Sequence, residues 1–289
     1  MIALDLLLTG VRLATPLLFA ALGGVVSERA GVVNIALEGK LLAGAFAAAA
    51  VSVATRDPWL GVLAAVAGGA SIGLLHALFG VVLRGDQIVV GIALNLLVLG
   101  LTQFLMEALY GSSANSPTFP GLPAAFAARF SPLVWLALLA APALHAVLGR
   151  TRFGLRLRAV GEHPEAAESV GVAPIRVRVA AVALAGALAG LGGAYLALEA
   201  SQFVKNMSAG RGFLALAAVI FGKWRPLPAA AACLFFGLTE AIQIRLQGQG
   251  VPTQFVQMIP YVLTMVALAG LVGRSRPPAA LGRPLPVER

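Results

Sequence analysis

Few residues in this chain have the types and spacing for chemistry. Its three histidines, His76, His145 and His163, are scattered. No group of His, Cys, Asp and Glu stands at metal-ligand spacing, and no nucleophile, base and acid can be assembled from neighbouring motifs. The phosphate-cradling pattern G-x-x-x-x-G-K-[ST] is absent, because Gly222-Lys223 lacks both the upstream glycine and the following hydroxyl residue. The chain is therefore not expected to hydrolyse ATP itself. What remains is a set of polar residues inside apolar runs. Asn34 and Glu38 are four apart, on one face if helical. Asn95 and Thr102 are seven apart. Glu240, Gln243 and Gln247 follow i, i+3, i+7. Amide, hydroxyl and carboxylate groups in such runs have two uses. They hydrogen-bond a polar solute as it leaves water, or they cap helix breaks and bond neighbouring helices.

The elements that carry these groups follow from composition. Of 289 residues, 59% are hydrophobic and 11% charged, with a mean hydropathy of +0.90. Soluble domains have about 45–50% apolar and about 25% charged residues. One aqueous core cannot bury this much apolar surface, so lipid must cover it. A soluble enzyme, a disordered scaffold and a disulfide-rich secreted domain are all excluded. The single cysteine, Cys233, lies in an apolar run. The net charge of +9 resides in loops between apolar runs, which reads as positive-inside loops rather than nucleic-acid binding.

Apolar length predicts an all-α polytopic membrane protein with about nine transmembrane helices, some broken or half-length. The expected spans are residues 8–26, 41–55, 59–83, 88–110, 132–149, 179–200, 212–222, 227–244 and 254–273. The first span has no basic n-region and reads as permanent, not as a cleaved signal. Lys223, Arg225, Pro226 and Pro228 cannot sit in lipid, so the long run breaks between 222 and 226. Residues 27–40, with Glu28, Arg29, Glu38 and Lys40, read as a similar charged break. The basic segment 150–178 and the tail 274–289 should be cytoplasmic. Nine crossings with the N-terminus outside then put 15 cations inside and 6 outside. Gly69-x-x-x-Gly73 and Gly186-x-x-x-Gly190, with Gly192 and Gly193, mark faces where helices approach closely.

One loop segment stands apart. In residues 161–174, Pro164 fits the first position of a short helix, Glu165 favours its dipole, Gly171 fits a stop and Pro174 starts the next helix. This predicts about two helical turns between two spans. They serve either as an interfacial anchor or as a docking helix for a cytoplasmic partner.

Residues 154–167 (GLRLRAVGEHPEAA) resemble the coupling-helix loop of ABC importer permeases of the ribose/branched-chain amino acid class. Residues 27–39 (SERAGVVNIALEG), 91–97 (GIALNLL) and 210–224 (GRGFLALAAVIFGKW) extend the resemblance over nearly the whole chain. Together they look like the shorter permease subunit of nucleoside importers that use a basic-membrane-protein-type binding lipoprotein. The ribose-type relatives have ten spans with the N-terminus inside, and this chain starts at what would be their second. Lys40 departs from the family, which more often has an apolar residue there.

The resemblance implies a single type II-like ABC importer permease domain over residues 1–289, with 150–178 as the cytoplasmic coupling loop. It implies a pore half in the cytoplasmic membrane of a prokaryote. Its partners would be a second, non-identical permease, a cytoplasmic ABC ATPase and an extracytoplasmic solute-binding lipoprotein. The chain itself would bind no cofactor, ATP and magnesium residing on the ATPase. Gly161, Glu162, Pro164, Glu165, Ala166, Ala167, Glu168 and Gly171 would couple to the ATPase. Asn34, Glu38, Asn95, Glu240 and Gln243 are the candidate path residues, and Arg211 would meet the binding protein or brace residues 210–213 against a carboxylate. The same machinery could serve a simple sugar, riboflavin or another small solute. An ion-coupled carrier fits poorly, because intramembrane acids are scarce.

Overall fold

A computed structural model describes residues 2–123, 130–247 and 276–284. The chain runs through α1 (Ile2–Arg29), α2 (Leu37–Thr55), α3 (Pro58–Ala77) with a π-helical turn over Leu78–Val82, α4 (Gln87–Tyr110) and α5 (Pro132–Arg150). It continues through α6 (Arg152–Glu162), α7 (Pro164–Ser169), α8 (Pro174–Ala200), α9 (Arg211–Phe221) and α10 (Pro226–Leu246). Prolines begin α3, α5, α7, α8 and α10. There the missing N–H is one the first helical turn would leave unpaired, and φ is preset. Asp57 and Asp86 cap α3 and α4 by accepting the next free backbone N–H groups.

Among the described residues seven helices are long and apolar enough to cross a membrane. The 254–273 span lies outside the described residues. The short 212–222 piece is the half-length helix α9, which does not cross by itself. α9 has 11 residues, about 16 Å of helix against a hydrocarbon thickness of about 30 Å. The crossing is nevertheless completed. Ser201 and Val204 lie at the end of the bundle that holds Asn115 and Phe119, whereas Trp224 lies at the end that holds Arg29. The turn-rich residues 201–210 and the half-helix α9 share the distance. The break at 222–226 falls where Lys223 and Arg225 require it, and both are exposed.

The core is built on α1 and α8, with α2, α3 and α10 packed around them. Small residues make this possible. Gly69 of α3 lies against the backbone of Gly186 and Gly190, and Gly73 lies against Val182 and Gly186. A side chain at Gly69 or Gly186 would meet backbone, which cannot yield. The exposed apolar residues gather on α3, α4 and α5, as with Leu63, Leu96, Phe104 and Leu139. These are the faces lipid must cover.

Two expectations for local structure fail. The α2 helix starts at Leu37, not 41, so Glu38 and Lys40 are helical and buried rather than in a charged loop. Asn34 precedes the helix, so Asn34 and Glu38 do not share a helical face. The 150–178 segment also holds a whole helix, α6, which the sequence reading missed. Its buried Gly154, Leu157, Val160 and Gly161 follow the helical period.

Candidate functional site

The site begins with an interrupted helix. α1 ends at Arg29, α2 begins at Leu37, and the connector between them is unwound inside the bundle. Backbone groups there need partners, because lipid and packed side chains supply none. Side chains of α1 and α4 supply several of them. Gln87 Oε1 accepts the Val33 N–H at 2.8 Å. Asn95 Nδ2 donates to the Ile35 carbonyl at 3.0 Å, and its Oδ1 accepts the Gly39 N–H at 2.8 Å. Gln87 and Asn95 are eight residues apart on α4, so the connector climbs about 12 Å along that helix before α2 begins. α2 thus starts buried inside the bundle, at the break that the charges at 28–40 signalled.

The connector also closes a polar chain at full burial. Asn34 Nδ2 donates to Ser27 Oγ at 2.8 Å, and Lys40 Nζ donates to Asn34 Oδ1 at 2.5 Å. Lys40 Nζ lies 3.0 Å from His76 Nδ1. Glu28 accepts the Asn34 N–H at 3.2 Å and the Trp224 indole N–H at 2.5 Å, while Arg29 Nε donates to the Trp224 carbonyl at 2.8 Å. The break at 222–226 is therefore clamped to the end of α1. In the sequence His76 is one of three scattered histidines and Lys40 only a departure from the family. Their separation of 36 residues leaves no local signal.

The N-terminus of α9 joins the two candidate path clusters. Glu38 accepts the Gly210 N–H at 2.8 Å and the Gly212 N–H at 2.7 Å. The carboxylate satisfies donors that a helix start leaves free and faces the positive end of its dipole. Between those two glycines, Arg211 turns the other way and pairs with Glu240 of α10 at 2.9 Å. That pair keeps about a quarter of its side-chain surface exposed, 20% for Arg211 and 27% for Glu240. Gln243 lies one turn further along α10 and is half-buried, whereas Gln247 caps the end of α10 and is exposed. Thr102 is buried and bonds its own helix through the Val98 carbonyl. Asn34 and Asn95 thus brace the α1–α2 connector, Glu38 joins the start of α2 to the start of α9, and Glu240 lies beyond them, paired with Arg211 of α9. Ser208 Oγ and Arg211 Nε, beside this junction, are buried with no hydrogen-bond partner among the described residues.

The candidate coupling residues divide into two sets. Pro164 opens α7 and Gly171, at φ +82°, ends it. Glu165, Ala166, Glu168 and Val170 are exposed, Val170 at 78%. Gly161 and Ala167 face inward. Gly161 sits against the Arg29 carbonyl, and Ala167 is only 3% exposed. These two hold the loop against the bundle and offer no docking surface. Glu162 is exposed and accepts the Ala279 N–H of the tail.

Known proteins resemble this chain over most of its length. Residues 6–268 match the family described as branched-chain amino acid transport system / permease component. The guanosine ABC transporter permease protein NupQ of Bacillus subtilis is 39% identical, over 94% of this chain and 93% of the relative. The nucleoside ABC transporter permease protein NupC of Lactococcus lactis is also 39% identical, over 93% and 92%. A Haloferax volcanii protein, TsgC13, whose name assigns it provisionally to a glucose ABC transporter permease, is 38% identical over 85% and 78%. The same two bacteria each contain a more distant relative with a permease name, NupP and NupB, at 26% and 23% identity.

Proposed function

Since the chain belongs to the branched-chain amino acid transport system permease family, we propose that it is one pore-forming half of an ABC importer for nucleosides. The observation that carries the cargo is the 39% identity, across nearly the full length, to permeases named for guanosine and for nucleosides. Paired permease names in both bacteria support a second, non-identical permease as the other half. A cytoplasmic ATPase carrying ATP and magnesium, and an extracytoplasmic binding lipoprotein, complete the assembly. The positive-inside tally supports an N-terminus outside and a cytoplasmic C-terminus.

In this reading the exposed face of α7 docks on the ATPase. ATPase closure displaces α7, and α6 carries the displacement to the end of α1 through the close contact of Gly161 with Arg29. The α1–α2 connector and the Trp224 turn then shift the two ends of α9. Glu38, Arg211 and Glu240 surround its N-terminus, where a polar nucleoside would exchange water for amide and carboxylate partners. A second reading, glucose as cargo, is favoured by the Haloferax volcanii relative.

The test is uptake by the purified complex in liposomes. ATP-dependent accumulation of radiolabelled guanosine, competed by other nucleosides and not by glucose, is expected. Glucose uptake without guanosine uptake would move the cargo to the second reading. Uptake driven by an ion gradient without any ATPase would reject the class.

A further inference from the structure

The tail residues 276–284 lie against the same end of the bundle as α7, and their contacts follow a pattern. The Ala279 N–H reaches the Glu162 carboxylate at 3.2 Å, and the Ala280 N–H reaches the Gly161 carbonyl at 2.9 Å. Both acceptors stand at the root of α7. Two residues on, the Gly282 N–H reaches the Gly31 carbonyl at 3.2 Å, within the α1–α2 connector. The tail therefore touches the coupling loop with one stretch and the connector with the next. Its own turn holds these stretches in register, through Leu281 N–H to the Pro278 carbonyl at 3.0 Å.

Arg178, in the first turns of α8, fixes this arrangement from beneath. It is 1% exposed. Its hydrogen bonds go to backbone carbonyls of two separate segments. Nε donates to Ala30 at 3.1 Å, Nη1 to Arg283 at 2.9 Å and Nη2 to Ala280 at 3.5 Å. The planar fork of a guanidinium suits such a bridge, since its donors point in fixed directions. Gly31 has φ +89°, and a side chain there would press on the Arg178 guanidinium. A glycine is required on both counts.

We propose that residues 278–283 form a clasp, with Arg178 as its positioning residue, which makes the root of the coupling helix and the α1–α2 connector move as one unit. The proposal rests on the importer reading above. α7 has only six residues, and its displacement is useful only if it reaches the connector without being absorbed on the way. Packing of Gly161 on Arg29 transmits a push. The clasp adds hydrogen bonds that also transmit a pull. It thereby extends coupling to both strokes of the ATPase cycle.

The experiment uses the complete importer. Four forms of the permease are compared: wild type, Arg178→Lys, Ala280→Pro, and a chain ending at Arg276. Ala280→Pro removes the single N–H that reaches Gly161. For each form, the amount of co-purified ATPase, ATP turnover and solute uptake are measured. With the clasp broken, assembly and basal ATP turnover are expected to persist, while solute moved per ATP falls about tenfold, within the usual range of coupling between sites. Combining Arg178→Lys with the truncation is expected to add little, because both act on one contact set. Uptake that falls only in proportion to the amount of assembled complex would overturn the clasp, as would unchanged uptake in all three variants. Wild-type protein that neither captures an ATPase nor transports would reject the importer reading itself.

Discussion

The carboxylate of Glu38 accepts the backbone N–H of Gly212 at 2.7 Å across 174 residues of chain. With the Gly210 N–H on its other oxygen, it ties the start of α2 to the start of α9. Two interrupted helices thus meet inside the bundle, and one acidic side chain satisfies backbone donors that lipid could not. Of the polar residues expected to line a path, Asn34, Glu38 and Asn95 are in this structure joints between broken helices, while Asn95, Glu240 and Gln243, with Arg211, keep part of their surface exposed.

Glu38→Ala is expected to destabilise the protein by about 1.5–3 kcal/mol, the range for hydrogen bonds to a charged group. Glu38→Gln keeps one acceptor oxygen and should lose less. Apparent melting temperatures in detergent should order as wild type, Glu38→Gln, Glu38→Ala. Equal values for the two variants would remove the capping role.

Lys40 is fully buried and bonded to Asn34 and His76. Lys40→Met leaves the Asn34 amide oxygen and the His76 ring nitrogen unpaired, at a cost of about 1–3 kcal/mol. Lys40→Met combined with His76→Leu removes one of the orphaned groups and should recover part of the loss. A double variant less stable than the sum of its singles contradicts this account.

Ala166→Arg and Ala167→Arg should behave differently, although the residues are adjacent. Ala166 is exposed on α7, so its replacement should change folding stability by about 0.5 kcal/mol or less and abolish co-purification of the ATPase. Ala167 is buried, so its replacement should lower the yield of folded permease. Normal ATPase capture by Ala166→Arg would reassign α7 as an anchor.

Gly69→Val should disrupt the contact between α3 and α8, whose backbones meet at Gly186 and Gly190. Overpacking there is expected to cost about 1–3 kcal/mol or more. Gly100→Ala, with nothing near its added carbon, serves as the control. Size-exclusion profiles that do not distinguish the two would count against glycine-mediated packing.

Orientation is testable in a Cys233→Ala background. Ser113→Cys should react with an impermeant thiol reagent from outside, and Ser169→Cys only after permeabilisation. The reverse pattern would invert the assigned topology.

Residue order alone determined the class of protein, because the solvent does. A chain with 59% hydrophobic residues must face lipid, and lipid tolerates only helices whose charges and prolines mark the breaks. Hence most spans, the breaks at 27–40 and 222–226, the short helix between Pro164 and Gly171 and the glycine faces of α3 and α8 were all legible. These are local or periodic signals. Tertiary structure decided what those signals could not carry. It turned Asn34 and Glu38 from one helical face into two different joints, brought Lys40 to His76, and folded the tail over Gly161 beneath Arg178. It also decided which of Ala166 and Ala167 faces out. Each of these depends on groups far apart in sequence, or on the rotation of a six-residue helix, which a single turn of pattern cannot define. A buried polar group must find its partner wherever the packed helices present one, and that place is set by the fold as a whole.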